Sequence, residues 1–279
     1  MTIAVTVLLV LVILYLLAIM PRMVGRPDNP VFQTKFFAHR GLHDNRTNAP
    51  ENSLAAFRKA VEAGFGMELD VQMSKDRVPV VFHDFTLKRV CGQPGKVCDY
   101  TLAELKKFRL CGSDQQIPTF AEFLQTVDGK APLIIELKVE RFDLSVCEAA
   151  DAMLREYKGV YCIESFNPFV LWWYRRHHKE VMRGQLSDNY FLYPEYRNLK
   201  GAGMVFLQFL MTNFLTKPDF VAYNHECRNN LSRKLCHGLY RNPAAAWTIR
   251  SEEQLAAAKG HFDVFIFDSF VPREAKARG

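Results

Sequence analysis

The sequence lacks internal repeats and low-complexity tracts beyond its N-terminal region. Its seven cysteines are scattered and odd in number, which excludes the disulfide framework of small secreted domains and indicates a reducing compartment. His225, Cys227, Cys236 and His237 stand close together, but their spacing matches no zinc-site template. Because no basic run interleaves with aromatic residues outside the segment around Trp172, nucleic acid is not an expected partner.

Charge is absent from residues 2–20, an apolar run long enough for a helix to cross a bilayer. No Lys or Arg precedes the run, and Pro21 and Arg22 follow it, whereas a cleaved signal peptide begins with positive charge and ends in small residues. We therefore expect residues 1–20 to form an uncleaved transmembrane anchor. Arg22 and Arg26 place positive charge after the run, which predicts a single-pass membrane protein with its large domain in the cytoplasm.

The rest of the chain has the composition of one large folded domain. Hydrophobic residues make up 49% of the sequence and charged residues 24%. Residues 21–34 contain three prolines and are predicted to be a linker, and residues 35–279 to be a single domain. The formal net charge of +6 favours anionic partners such as phosphates and anionic lipid.

Short apolar runs alternate with helical patterns along this domain, which predicts parallel strands joined by crossover helices. Residues 53–63 are predicted to form the first such helix, with Asn52 as its cap. Residues 78–82 are interpreted as a continuation of the second strand after a turn at Lys75-Asp76. Counted in this way there are eight strands, which can close into a (β/α)8 TIM barrel, and an open doubly wound sheet is the alternative. The predicted strands are 36–38, 67–71 with its continuation, 133–137, 160–164, 181–185, 220–223, 245–249 and 264–267.

Acidic side chains lie at or near the ends of the predicted strands, where such a barrel carries its reactive groups. Glu68 and Asp70 are two residues apart and share one face of a strand, as do Glu136 and Lys138. Three carboxylates in one mouth would repel one another unless a cation lay among them, and oxygen ligands without thiolates suit Ca²⁺ or Mg²⁺. We therefore predict that Glu68, Asp70 and Glu136 bind one divalent cation.

Two histidines and two basic side chains complete the predicted site. His39 and His83 follow the first strand and the continuation of the second, and imidazole titrates in the range that suits a general acid and a general base. Arg40 can bind phosphate oxygens in a bidentate manner, and Lys138 supplies a point charge. With a metal ion, these cations would stabilise the charge that develops in phosphoryl transfer.

The order and spacing of these motifs resemble the glycerophosphodiester phosphodiesterase family, in its membrane-anchored, single-domain bacterial form. The series consists of HRG at 39–41, PEN at 50–52, ELDV at 68–71, VVFHD at 80–84 and ELK at 136–138. The likeness continues with Ser165-Phe166 and Trp247-Thr248, so it covers nearly everything after the apolar run. Arg250 and the segment 267–270 depart from the family pattern, which leaves the preferred alcohol open.

The resemblance implies a (β/α)8 barrel, one divalent cation, and hydrolysis of glycerophosphodiesters to sn-glycerol 3-phosphate and an alcohol. It implies the same roles for the two histidines, three carboxylates and two basic residues as those inferred above. It also implies that Phe166 and Trp247 lie on the apolar side of the substrate pocket, although both could equally be ordinary core aromatics.

Two segments leave contact with lipid as an open question. Residues 203–215 are apolar almost throughout, and residues 169–178 set aromatic side chains beside two arginines. Either segment could face a bilayer or pack on neighbouring helices. Lipid contact would suit a second hypothesis, lysophospholipase D-type hydrolysis of membrane lysophospholipids. A third hypothesis is a non-catalytic module that binds phosphorylated headgroups, against which stands the complete set of predicted catalytic residues.

Overall fold

Eight parallel strands form a closed barrel in the computed structural model, which describes residues 2–140, 142–192 and 201–276. The first strand pairs with both the second and the last, so the sheet closes on itself. The (β/α)8 barrel is therefore confirmed, and the open doubly wound sheet is excluded. The strands, including one that lies outside the barrel, are β1 (Phe36–His39), β2 (Gly66–Met73), β3 (Pro79–Val81), β4 (Leu133–Leu137), β5 (Tyr161–Ser165), β6 (Arg183–Ser187), β7 (Phe220–Asn224), β8 (Ala244–Ile249) and β9 (Val264–Phe267).

The strand β3 corrects the interpretation of residues 78–82 as a continuation of β2. It runs antiparallel to β2, with Val81 opposite Val71, and among the described residues it pairs with no other strand. The reversal occurs at a tight turn in which Arg77 adopts a left-handed backbone with φ of 64°. Apolar alternation does not reveal strand direction, which is why the sequence pattern missed the hairpin. The fold-back sets the Phe82 N–H on the Asp70 carbonyl at 3.0 Å, so His83 reaches the barrel mouth.

Most of the helices connect strands along the outside of the barrel, whereas the first precedes β1 and the last follows β9. The helices are α1 (Thr2–Ile19), α2 (Leu54–Glu62), α3 (Lys88–Cys91), α4 (Leu102–Leu105), α5 (Phe120–Val127), α6 (Ser145–Leu154), α7 (Pro168–His177), α8 (Ala202–Gln208), α9 (Asn213–Thr216), α10 (Leu231–Gly238), α11 (Glu252–Ala258) and α12 (Arg273–Lys276). The cap of α2 is Ser53, whose hydroxyl accepts a hydrogen bond from the Ala56 N–H, so the prediction of Asn52 as the cap is wrong.

The alternation of side chains along each strand separates the hydrophobic core from the polar site. In β2, Met67, Leu69 and Val71 face the surrounding helices and are completely buried. Glu68 and Asp70 alternate with them and therefore point into the barrel. A second apolar cluster lies inside the barrel. It includes Val31, from a short helix at Pro30–Gln33. The end of the predicted linker is thus packed against the barrel.

The two segments in which lipid contact was an open question contain both buried and exposed side chains. On α7, Trp173 and Tyr174 pack into the core, whereas Trp172 stays partly exposed under the Arg176 guanidinium. The apolar segment 203–215 is interrupted at Leu210, which has a left-handed φ of 54° and is buried. The helix α1 has a mean hydropathy of 3.0 and, by length and composition alone, is a candidate membrane span.

Candidate active site

Three buried carboxylates meet at the carboxyl ends of β2 and β4. Asp70 stands opposite Glu136 in the parallel register, and ligand oxygens of Glu68, Asp70 and Glu136 all lie within 4.8 Å of one another. Burial raises the pKa of Glu136 to about 7 and that of Glu68 well above its ordinary value. Burial disfavours the charged forms of these carboxyls, and a cation among them would stabilise those forms. The buried oxygen donors therefore fit the hard divalent cation that the sequence predicted.

Lys138 supplies the positive charge nearest to this cluster. Its Nζ atom lies 3.1 Å from Oδ1 of Asp70 and 2.9 Å from Oε2 of Glu136. Burial alone would raise the pKa of Asp70, but the charges of Lys138 and its cationic neighbours hold that pKa well below the ordinary value. The predicted phosphate contact is therefore placed directly beside two of the predicted metal ligands.

His83 is held by its neighbour in sequence. Its Nδ1 atom lies 2.6 Å from Oδ1 of Asp84, and the Arg89 guanidinium donates to both oxygens of that carboxylate at 2.7 and 2.8 Å. If Nδ1 carries the proton that Asp84 accepts, Nε2 is left with a free lone pair. Burial lowers the pKa of His83 to about 4, so the ring is neutral at pH 7.

His39, the last residue of β1, lies between two carboxylates. Its Nδ1 atom is 3.6 Å from Oδ2 of Asp268, and its Nε2 atom is 3.8 Å from Oε2 of Glu68. Asp268 also lies 3.3 Å from Nε2 of His43. Burial lowers the pKa of His39 to about 4, so this ring is also neutral at pH 7.

Sequence reasoning missed His43 and Asp268 as members of the site. Asp268 follows β9, which pairs with β1 so that Phe267 stands opposite Ala38, the residue before His39. This neighbourhood exists only because the barrel closes. To find these two residues from the sequence, one would have to know that the last strand pairs with the first, and in which register.

The motif at 50–52 contacts both the basic residues and the carboxylates of the site. Glu51 accepts a hydrogen bond from Arg40 Nη1 at 2.7 Å, and its two oxygens also accept from Arg89. Asn52 Nδ2 donates to Asp70 Oδ2 at 2.9 Å. Glu51 thus positions two guanidinium groups, and Asn52 orients a predicted metal ligand.

Arg40 lies in a strained turn that brings both its backbone N–H and its side chain into the site. Its φ is 56°, and its backbone N–H donates to Glu68 Oε2 at 3.2 Å. The next residue, Gly41, has a φ of +83° and lies so close to α2 that a Cβ would come within 3.0 Å of Ala56. The side-chain Nε of Arg40 is buried and has no hydrogen-bond partner among the described residues.

Phe166 and Trp247, the predicted apolar wall, contact each other. Their ring centroids are 5.6 Å apart in an edge-to-face arrangement. Both are half-buried against the interior cluster, and Phe166 also contacts the Tyr190 ring. The indole Nε1 of Trp247 is buried without a hydrogen-bond partner within the described part of the chain.

Glu164 is a fourth interior carboxyl that was not predicted. It stands opposite Glu136 in the register between β4 and β5, and it is 1% exposed. Burial raises its pKa well above the ordinary value. The alternation of β5 places it inside the barrel, which a strand-by-strand count of inward positions would have revealed.

The fold and the site define a (β/α)8-barrel protein with a histidine pair and a carboxylate cluster at the carboxyl ends of its strands. A sequence model of the glycerophosphoryl diester phosphodiesterase family matches residues 39–268, and the chain belongs to this family. The match extends from the first predicted catalytic histidine to Asp268 after the last strand.

Curated relatives support the assignment over part of their length. The chain is 41% identical over 114 residues to a glycerophosphodiester phosphodiesterase of Caldanaerobacter subterraneus, which covers 38% of this chain and 46% of that one. It is 31% identical over 159 residues to human glycerophosphodiester phosphodiesterase 1, which covers 52% and 46%. The chain thus spans about half the length of these relatives.

Solved structures share the fold over most of the chain. A phosphodiesterase of Oleispira antarctica in complex with the product sn-glycerol-3-phosphate superimposes with a TM-score of 0.68 and 23% identity, covering 87% of this chain and 95% of that one. The glycerophosphodiester phosphodiesterase of Thermotoga maritima gives 0.61 and 26% identity, covering 84% and 94%.

Proposed function

We propose that the protein hydrolyses glycerophosphodiesters to sn-glycerol 3-phosphate and an alcohol. The observation that carries this proposal is the pair of neutral, partly buried imidazoles of His39 and His83 beside the carboxylate cluster and Lys138. Family membership and the names of the relatives agree with this chemistry. Glu68, Asp70 and Glu136 would hold one divalent cation, Ca²⁺ or Mg²⁺.

The two histidines would share the movement of protons. A neutral imidazole can accept the proton of the attacking oxygen, and the negative phosphodiester raises the pKa of the other ring so that it can protonate the leaving oxygen. Asp84 fixes the ring of His83 for this purpose, and Asp268 lies beside His39.

Three cationic contributions would stabilise the charge on the phosphate oxygens. The buried Nε of Arg40 makes no hydrogen bond among the described residues and lies 3.6 Å from Oδ2 of Asp70, and Lys138 lies at the edge of the carboxylate cluster. A bound divalent cation would supply further positive charge where negative charge develops. Phe166 and Trp247 would form the apolar side of the pocket, where the unpartnered indole N–H of Trp247 could donate to a substrate oxygen.

The test is release of sn-glycerol 3-phosphate by the full-length protein in detergent. Glycerophosphocholine and glycerophosphoethanolamine are the substrates, with EDTA or with added Ca²⁺ or Mg²⁺. Metal-dependent release supports the proposal. A complete lack of product from both substrates, in protein that is folded and metal-loaded, contradicts it and favours the non-catalytic headgroup-binding module instead.

The second enzymatic candidate is lysophospholipase D-type hydrolysis of membrane lysophospholipids. It is favoured by the apolar helix α1. We propose that α1 crosses the membrane once and that residues 35–279 form the catalytic domain in the cytoplasm, on the side of the positive charges of Arg22 and Arg26. Release of lysophosphatidic acid from a lysophospholipid, with no product from the two soluble diesters, would select this reaction.

A further inference from the structure

The C-terminal part of α1 is docked on the wall of the barrel. Ile19 is completely buried, and its carbonyl oxygen accepts a hydrogen bond from Asn213 Nδ2 on α9 at 2.9 Å. Tyr15 is hydrogen-bonded through its hydroxyl to the Ser232 hydroxyl of α10 at 2.7 Å. Lys217 Nζ donates to the Met20 carbonyl at 3.0 Å. These contacts fix the direction of α1 relative to the barrel.

The contacts show that α1 runs from the carboxyl end of the barrel towards its amino end. The helix α10 follows β7, so its first turn, with Ser232, lies at the carboxyl end. Tyr15 contacts that first turn, whereas Arg22 N donates to the carbonyl of Pro218, two residues before β7 begins. The earlier part of α1 therefore points away from the barrel on the side of the catalytic mouth.

Residues 2–14 of α1 are exposed along their whole length. A helix advances about 1.5 Å per residue, so this stretch extends about 20 Å beyond the level of Tyr15. A bilayer that surrounds it must lie on the carboxyl side of the barrel. The carboxyl ends of the strands, and with them the histidines and carboxylates, then face the lipid.

Exposed apolar side chains lie around this same end of the barrel. Five of these side chains belong to a loop or a helix start that follows a strand. The sixth is on α8, which contacts the end of β7, because the Gln208 carbonyl accepts a hydrogen bond from the Tyr223 hydroxyl at 3.0 Å. We call this set the carboxyl rim. It consists of Phe142, Phe169, Phe191, Leu192, Phe206 and Leu231, with exposed fractions between 39% and 77%.

We propose that the carboxyl rim rests in the interface of the bilayer that α1 crosses, so that the catalytic mouth opens onto the membrane and takes phosphodiesters from the lipid surface. This inference rests on the proposed function in one respect, the membrane span of α1. Apolar side chains of interfacial elements sink about 5–10 Å into the headgroup and acyl boundary, which suits phenylalanine and leucine side chains around a polar mouth. Alone in water, six such exposed side chains at one end of a domain would favour association.

The test compares the two ends of one helix. Leu231 is the first residue of α10, and Leu239 follows its last residue. The two side chains are about equally exposed, at 56% and 57%, but Leu231 belongs to the carboxyl rim and Leu239 lies at the amino end. An environment-sensitive fluorescent amino acid is introduced genetically at one position or the other in the full-length chain. The protein is reconstituted in vesicles of phosphatidylethanolamine and phosphatidylglycerol, with and without brominated acyl chains.

We expect brominated lipid to quench the probe at position 231 and to leave the probe at 239 unquenched. Equal quenching at both positions, or quenching at neither in protein that resists an alkaline wash of the vesicles, would overturn the orientation. Release of the protein by that wash would overturn the membrane span itself. Because this readout needs no turnover, loss of the orientation is distinguishable from failure of the proposed hydrolysis.

A kinetic comparison links the surface to substrate supply. Leu231→Ser should lower the rate on a lysophospholipid embedded in vesicles and leave the rate on soluble glycerophosphocholine unchanged. Leu239→Ser, the matched control, should change neither rate. An equal loss on both substrates in Leu231→Ser would show that the side chain stabilises the fold instead, and it would contradict the proposal.

Discussion

The Nδ1 atom of His83 lies 2.6 Å from Oδ1 of Asp84, the next residue in the sequence. Two hydrogen bonds from Arg89 hold this carboxylate in place. Burial would raise the pKa of Asp84, but the hydrogen bonds with His83 and Arg89 keep it well below the ordinary value. Asp84 therefore stays ionised and fixes which nitrogen of His83 carries the proton. The other nitrogen, Nε2, is then the one that can accept a proton.

Replacement of Asp84 by Asn should impair proton transfer more than substrate binding. The amide cannot hold the proton on Nδ1 as a carboxylate does, so we expect kcat to fall by roughly a hundredfold with little change in KM. Steady-state kinetics with glycerophosphocholine would measure this. Asp143→Asn is the matched control, because Asp143 makes an equally short contact with Arg77 at the exposed surface. A normal kcat in Asp84→Asn would contradict the role of Asp84.

Divalent cations should stabilise the folded protein through the carboxylate cluster. A ligand at about 100 times its Kd adds about 2.7 kcal/mol to the free energy of unfolding, which corresponds to roughly 5–10 °C in Tm for a chain of this size. Thermal melts with EDTA, Mg²⁺ or Ca²⁺ would measure the shift. Glu68→Gln should remove it, whereas Glu104→Gln at the surface should keep it. A full shift in Glu68→Gln would place the cation elsewhere.

Glu51 should make stability depend on pH in the acidic range. Burial would raise its pKa, but hydrogen bonds from Arg89 and the charge of Arg40 lower it to about 2 from an ordinary 4.5. Between these values the unfolded chain binds more protons than the folded one, so the contribution of Glu51 is complete above about pH 4.5 and is lost as the pH falls towards 2.

This contribution is on the order of 3 kcal/mol by the linkage between pKa and stability. Urea unfolding of the wild type and Glu51→Gln at pH 7 and at pH 3 would measure it. The difference between the two proteins should shrink at the lower pH. Glu62→Gln, on the exposed face of α2, provides the control. A difference that grows as the pH falls would mean that the sign is wrong.

The residues at the start of α2 should separate stability from activity. Ser53→Ala removes the helix cap and should cost about 1 kcal/mol of stability while leaving the metal site intact. Asn52→Ala removes the hydrogen bond to Asp70 and should weaken metal binding, measured by calorimetry. The correction of the cap from Asn52 to Ser53 would fail if the two variants showed the opposite pattern.

The sequence alone predicted that Glu68, Asp70 and Glu136 share one site, because the placement of side chains on a strand depends on local alternation, whereas Glu164 was missed. Glu68 and Asp70 are two residues apart in β2, and any strand sets such residues on one face. The barrel then brings Glu136 opposite Asp70, and the family motifs agree. Strand periodicity and the count of eight strands were sufficient for this part of the site.

The remaining parts depend on tertiary pairing that a local pattern does not contain. The hairpin that returns β3 along β2 decides how His83 reaches the mouth, and apolar residues at 78–82 fit either direction. Asp268 comes beside His39 only through closure of β9 on β1. Likewise, hydropathy identified α1, but the direction in which it leaves the barrel required its contacts with Ser232 and Asn213.

The most direct test of the account is release of sn-glycerol 3-phosphate from glycerophosphocholine by the full-length protein and by His83→Ala. With Mg²⁺ or Ca²⁺ the wild type should release the product, EDTA should abolish the release, and His83→Ala should lower kcat by about a thousandfold while its thermal melt stays normal. Near-normal turnover by a folded His83→Ala protein would contradict the assignment of His83 and, with it, the proposed mechanism.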